Sequence, residues 1–380
     1  MVKKPDSSKE EINREGVRGL YEENRKLVDQ FGAEYLSNVE KLPDFYTFSN
    51  GLIFSHRNLG DFLKAIQKGE KTAIVSGLNP SSSMHIAHLS VFDTNLFFQR
   101  KYGSRVFIPM SDDESYVTGK IETQEEGLRK SLSLTKSILA LGFDPAMTVV
   151  IIDQLYPQIY NLAFSISRKV TLSTVRATYG YTPDKNIGMH FYPAVQAAHV
   201  VFPNLFGIPN VLVPIGPDED PHLRICRDVA ELLGYRKPSV IHSLFLPGID
   251  GSKMSKSKNN AIYLLDSEKE TRKKIMNAFS GGQASIEEHR RIGGDPDVDI
   301  PFTYLKYFFL PPDEAERIAN EYRTGKMLSG EMKTLLYEKL EERLEKFRRA
   351  FDRVTYDQID RVIIKNDKTD IVSLCEKYSI

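Results

Sequence analysis

Five short apolar runs, "TAIVS" (72–76), "RVFIPM" (105–110), "TVVII" (148–152), "NVLVP" (210–214) and "SVIHSLF" (239–245), are separated by stretches of helical length such as "MHIAHLSVFDTNLFFQRKYG" and "GLRKSLSLTKSILALGF". A strand that is apolar on both faces needs cover on both, and strands alternating with helices supply it when they run parallel. The pattern predicts an α/β class with a doubly wound parallel sheet. In such a sheet ligands collect at the carboxyl ends of the strands, where the winding reverses between the two halves. Chemistry is therefore expected immediately after each run.

The flanks differ in texture. Residues 1–45 are charged and helix-compatible up to the breaker "LPDF", and read as an N-terminal helical extension. From about residue 267 the strands are expected to stop, and "KETRKKIMNAF", "DEAERIANEYRTG" and "EMKTLLYEKLEERLEKFRRAFDRV" read as helices with alternating charge on their exposed faces. The sheet domain is thus placed at 46–266 and an α-helical C-terminal domain at 267–380. At 380 residues and 41% hydrophobic content, the chain can bury a core without disulfides or metal. Lysine plus arginine equals aspartate plus glutamate at 51 each, so an RNA partner would have to be met by a local basic surface rather than by net charge. Two distant cysteines and the lack of CxxC or HExxH argue against a disulfide framework or a zinc site, and a reducing cytoplasm fits best. Met1 to Ser8 is polar, and no run approaches about eighteen apolar residues, so neither secretion nor membrane insertion is expected.

Three segments could carry phosphate or nucleotide chemistry. After the first run, Asn79 or a serine from Ser81 to Ser83 is expected to cap a helix with Pro80 in its first turn, which would present free backbone N–H groups to an anion. His85 and His88 would share a face of that helix and donate to phosphate oxygens; the competing reading is a pair of satisfied structural histidines. After the fourth run, Gly216 allows backbone to approach a ligand and Asp218 can accept ribose hydroxyls, unless "GPD" is an ordinary turn. After the fifth run comes "GSKMSKSKNN", with Gly248 and Gly251 permitting a mobile loop. Lys253 and Lys256 could hold the charge of a pyrophosphate leaving group, or line a solvated basic surface. Taken at one sheet edge, the three favour the functional reading.

The "KMSKS" block downstream of a histidine pair resembles the class I aminoacyl-tRNA synthetases. Within them the chain is similar to the tryptophanyl-tRNA synthetases of archaeal and eukaryotic type, through "GLIFSHRNLGDFLKAI", "PSSSMHIAHL", "PMSDDESY", "FYPAVQAA", "PDEDPHLRICRDVAELLGYRKPSVIHS" and "AFSGGQASIEEHRRIGGDPDVDIPFTYLKYFFL". The resemblance implies a Rossmann-like catalytic domain, a helical anticodon-binding domain, and ATP-dependent charging of tRNA with tryptophan in the cytoplasm. His85, His88, Lys253 and Lys256 would then be catalytic; Asn79, Ala87, Gly216, Asp218, Met254 and Ser255 would bind ATP, with Mg2+ bridging its phosphates. Val75, Pro109, Glu114, Gln196 and Glu219 would surround the amino acid. Residues near 153–195 would form a homodimer interface. Arg348, Arg349, Arg353 or Tyr337 could read an RNA loop.

The sequence departs from that family at Ala87, where a glycine is usual, at Val75 and Pro109, where a tyrosine and a glutamine usually bind the indole N–H, and at Glu219, where glutamine is usual. Neither Val75 nor Pro109 offers a side-chain donor or acceptor. Tyrosine is therefore the nearest rival substrate, and a non-catalytic RNA-binding or regulatory paralogue the rival from another class. The chain contains no tryptophan of its own.

Overall fold

The structure, a computed structural model, describes residues 15–17, 19, 22, 24, 26–254, 258–366 and 368–380. Its centre is a sheet of eight strands: β1 (Glu34–Tyr35), β2 (Ile53–Arg57), β3 (Thr72–Val75), β4 (Arg105–Met110), β5 (Thr148–Ile152), β6 (Asn210–Ile215), β7 (Ser239–Ser243) and β8 (Ile363–Ile364). They lie in the order β1-β2-β7-β6-β3-β4-β5-β8. All neighbours from β7 to β8 are parallel, whereas β1–β2 and β2–β7 are antiparallel. The five apolar runs are the five central strands, as the sequence predicts.

The pleat explains their continuous hydrophobicity. Ala73, Val75, Phe107, Val149, Ile151, Val211, Val213 and Val240 point to one face and join the helices Ile159–Ser167, Ile187–Val201 and Asp220–Leu232 in one core cluster. Ile74, Val106, Ile108, Val150, Ile152, Leu212 and Ile241 point to the other. There they meet Phe62, Leu89, Phe98, Leu132 and Ile138, and the same cluster continues into Tyr304, Leu336 and Leu340 of the later helices. The helical residues beyond 267 thus pack on a face of the sheet.

Three strands differ from the sequence expectation. β8 lies beyond 267 and extends the sheet alongside β5, and β1 ties the N-terminal segment to β2. Both are two residues long and have no periodicity to detect. β2 carries Ser55 and His56 in buried positions, so its apolar signal is broken by polar side chains that find partners in the fold. Ser55 Oγ lies 2.9 Å from His242 Nδ1, and His242 Nε2 lies 3.1 Å from Asp220 Oδ1. Arg57 donates from Nε and Nη2 to the two Asp220 oxygens, each at 2.8 Å. This network joins β2, β7 and the first residue of the helix Asp220–Leu232.

Burial pushes the Asp220 carboxyl up, but the hydrogen bonds from His242 and Arg57 outweigh it and hold the group down at about 2. A depressed carboxyl stabilises the fold above its unfolded value, and that stabilisation is lost as pH falls through the folded value. Asp220→Asn is therefore expected to lower stability by about 3 kcal/mol at neutral pH, since it leaves the nearly buried Arg57 guanidinium without its counter-charge, although two backbone carbonyls still accept from it. Denaturant midpoints should show the deficit shrinking as pH approaches about 2, where the parent carboxylate is itself protonated.

Candidate active site

The chain leaves β3 for β4 on one side and returns to β6 on the other, so winding reverses at the β3–β6 border. Beyond the carboxyl ends of these strands lies a cavity of about 400 Å³. Val75, Asn79, His85, Ala87, His88, Pro109, Glu114, Gln196, Gly216, Asp218, Glu219, Lys253 and Met254 all line it. The two other residues expected here, Ser255 and Lys256, lie outside the described residues.

The histidine segment is built differently from the sequence expectation. The helix begins at His88, not near Pro80, and its N-cap position is Ala87, without a side-chain cap. Asn79 and Ser81 to Ser83 therefore cap nothing. Asn79 instead donates from Nδ2 to Glu114 Oε2 at 2.7 Å and accepts from Ser115 Oγ at 2.7 Å. The reason is a non-local pairing: Ile86 N–H donates to Ile262 O at 3.0 Å and Leu264 N–H to Met84 O at 2.9 Å, which holds residues 84–86 extended. His88, Leu89 and Ser90 N–H groups then bond to the carbonyls three residues earlier, so these N–H groups are not free for an anion. The imidazoles still converge, with ring centroids 3.9 Å apart. Burial lowers His85 to about 2 and His88 to about 4, so both are neutral near pH 7. His85 Nδ1 is buried without a partner.

The basic loop hangs from a closed base. Gly251 takes a left-handed φ of 83° and its N–H bonds to Gly248 O at 2.9 Å, while Asn260 Nδ2 donates to Asp250 Oδ1 at 2.8 Å and to Lys253 O at 3.1 Å. Any side chain at Gly248 would run into Asn260, so this glycine serves close packing rather than mobility. Lys253 Nζ sits 3.1 Å from Asp218 Oδ2 and 4.4 Å from the centre of the Phe245 ring. Both partners of this ion pair are half-exposed, so it is weak and open to exchange. Phe245 gave no signal in the sequence beyond ending an apolar run.

At the other end of the cavity three acceptors gather. Gln196 Nε2 donates to Glu219 Oε2 at 3.3 Å, which leaves Gln196 Oε1 buried without a partner. Burial, then the charges of Asp218 and Glu114, raise Glu219 to about 7. Glu114 accepts from Asn79 and from Lys120 Nζ at 3.0 Å. A buried acceptor beside two carboxyls suits a small cationic group.

Behind this end lie Asp112, Asp113, Asp153 and His199, with ligand-type oxygens of the three acids within 4.8 Å of one another. Most of their oxygens have protein partners, while Asp153 Oδ2 is buried without one. Asp112 accepts from Asp153 N–H at 3.0 Å and Gln154 Nε2 at 2.6 Å, Asp113 from Glu114 N–H at 2.7 Å, and His199 Nε2 lies 2.7 Å from Asp153 Oδ1. Burial, reinforced by Asp153, raises Asp113 to about 8, and Asp153 is raised as well, so the pair holds a proton between them near neutrality.

Of the residues proposed from sequence to read RNA, three have partners within the chain and the fourth is exposed. Tyr337 donates to Glu268 Oε1 at 2.8 Å, Arg348 to Asp266 O at 2.9 Å, Arg349 pairs with Glu345, and Arg353 is exposed in the last turn of its helix.

With the geometry in place, comparisons give its context. Residues 67–345 match the family described as tRNA synthetases class I (W and Y). The chain is 39% identical over 337 residues to the tryptophan–tRNA ligase of Saccharolobus solfataricus, covering 85% of this chain and 88% of that one. It is 34% identical over 361 residues to the cytoplasmic tryptophan–tRNA ligase of Saccharomyces cerevisiae, covering 89% and 83%. The crystal structure of tryptophanyl-tRNA synthetase from Aeropyrum pernix superposes with a TM-score of 0.83 at 29% identity, covering 93% and 100%.

The acid cluster generates a test of its own. A carboxyl raised on folding weakens the fold as pH rises from the unfolded value toward the folded one, here from about 4 to about 8. Asp113→Asn keeps the shape and removes the titration. Relative to the parent it should gain roughly 2 kcal/mol or more across that window, read from denaturation midpoints at a series of pH values.

Proposed function

The chain belongs to the class I tRNA synthetases of the W and Y type, and from that premise we propose that its site joins tryptophan to tRNA by way of tryptophanyl-adenylate, at the expense of ATP. The observation that supports the site assignment is that one cavity holds both a nucleotide-competent edge, from His85 to Lys253, and an ammonium-competent end at Glu114, Gln196 and Glu219. The tryptophan carboxylate attacks the α-phosphorus of ATP, and pyrophosphate leaves. No protein nucleophile is needed, so the residues act by placement and by stabilising charge.

Each residue then has a role consistent with its state. Neutral His85 and His88 donate single N–H groups to phosphate oxygens rather than carrying charge. Fixed positive charge comes from Lys253, which exchanges Asp218 for the departing pyrophosphate, and from Lys256 in the same block. Asp218, once released, accepts ribose hydroxyls beside the Gly216 backbone, and Asn79, Ala87 and Met254 complete the nucleotide wall; Ser255, outside the described residues, is assigned to ATP by its motif alone. Mg2+ bound with ATP would offset the negative charge of the phosphates; Asp112 and Asp113 already accept from their own donors, and Asp153 Oδ1 faces His199. Glu219 and the unpartnered Gln196 oxygen take the substrate ammonium, with Glu114 beside them.

The wider reading follows the same family. Phe164, Leu172 and Ile187 are 66%, 58% and 86% exposed on the segment near 153–195, which supports a homodimer formed through that face. We assign 46–266 to catalysis and 267–380 to the anticodon, with 1–45 as an extension. Among the described residues no helix is long and apolar enough to cross a membrane. The cytoplasmic yeast relative supports the same compartment here.

ATP–pyrophosphate exchange tests the assignment. Tryptophan should support exchange, and exchange with tyrosine or another amino acid in its place would overturn the substrate. Lys253→Ala should slow exchange about a hundredfold with little change in the KM for tryptophan, since it removes charge stabilisation of the leaving group. The carboxylate form of Glu219 is the one that binds an ammonium, so the KM for tryptophan should fall as pH rises through about 7. Glu219→Gln should flatten that dependence.

A further inference from the structure

We propose that the hydroxyls of Tyr192 and Ser111 are the specificity-determining contact for the amino-acid side chain, the Tyr192 oxygen accepting the indole N–H of tryptophan. The proposal rests on the tryptophan reading above and deepens it.

Indole has one polar atom, and that atom only donates. Buried without an acceptor, it would lose its hydrogen bond to water with nothing in exchange. The hydrocarbon walls of the cavity, such as Val75, Pro109 and Val213, offer no side-chain acceptor. The polar groups sort by chemistry. Glu114, Gln196 and Glu219 suit the ammonium, and His199 is committed through Nε2 to Asp153. The imidazoles of His85 and His88 lie on the nucleotide edge with Lys253.

Of the remaining side-chain hydroxyls in the lining, Ser90 donates to Ala87 O at 2.7 Å and Ser243 ends β7 with its Oγ unpartnered; the pair that sits on the elements carrying Glu114 and Gln196 fits the requirement best. Tyr192 donates to Ser111 Oγ at 2.9 Å, and both residues are buried, at 6% and 8% exposure. This is the one side-chain hydrogen bond found for either hydroxyl among the described residues. A phenol whose proton is already given away retains lone pairs, and so faces a donor as a pure acceptor. Burial, then the carboxyls of Glu114 and Asp113, push the Tyr192 phenol well above its ordinary value, so the proton stays in the pair.

Placement agrees. Tyr192 and Gln196 are four residues apart on the helix Ile187–Val201 and share its cavity-facing side. Ser111 lies between Pro109 and Glu114. Both elements therefore carry a hydroxyl and an ammonium-competent group that line the same cavity.

The test compares tryptophan with 3-benzothienylalanine, in which sulfur replaces the N–H at similar size, by kcat/KM in ATP–pyrophosphate exchange. The parent should prefer tryptophan by about a hundredfold or more. Tyr192→Phe deletes only the hydroxyl; it should lower kcat/KM for tryptophan at least about tenfold, mostly through KM, and leave the sulfur analogue nearly unchanged. Ser111→Ala should reduce the preference less, because the phenol remains. An unchanged ratio in Tyr192→Phe, or equal losses on both substrates, would overturn the proposal. Should that variant not fold, the parent decides: accepting 1-methyltryptophan and the sulfur analogue as readily as tryptophan would exclude a buried acceptor. Exchange by the parent with some other amino acid and not with tryptophan would instead remove the reading on which the proposal stands.

Discussion

Between β3 and β6 two parallel neighbours send their chains away in opposite directions, and the space beyond their carboxyl ends is closed by neither. A Cβ at Gly216 would come within 2.9 Å of Asp218 Oδ1, so the bare backbone there leaves that carboxylate its room. What bounds the space instead is brought from far along the chain. The backbone bonds between Met84–Ile86 and Ile262–Leu264 fasten the histidine segment to residues just past the basic loop. The imidazoles and the loop lysine are thereby neighbours by main-chain construction rather than by side-chain attraction.

Burial sets the charge state of this space. It strips the proton from His85 and His88 and keeps one between Asp113 and Asp153, while Glu219 is poised near neutrality. The interior wall is therefore close to uncharged before substrates enter. Opposite charge remains in two solvent-accessible pairs, Lys253–Asp218 and Lys120–Glu114. A site arranged this way has little to reorganise internally, because the strongest charges arrive with ATP and the substrate ammonium and meet partners already in position.

Legibility in the sequence followed physical locality. The five central strands could be read because each is apolar on both faces. β2 could not, because Ser55 and His56 are buried polar groups, and the partner of Ser55, His242, lies nearly two hundred residues away. The spacing of His85 and His88 pointed to side chains that do converge on the cavity but suggested the wrong local structure; a helical face was inferred where a distant backbone segment holds the chain extended. The loop motifs around Gly216 and Lys253 converge on one cavity as expected, since loops after parallel strands share an edge. Tyr192 and Ser111 sat inside motifs that were visible, yet their pairing across 81 residues was not.

The central claim is that one enclosed space binds both halves of an aminoacyl-adenylate. A crystal structure with a non-hydrolysable sulfamoyl analogue of tryptophanyl-adenylate tests it most directly. The account predicts the analogue in the cavity beyond β3 and β6, its ammonium between Gln196 and Glu219 and its ribose at Asp218, with Lys253 moved off that carboxylate. An analogue bound elsewhere, or lying in this cavity with its ammonium at the histidines, would contradict it.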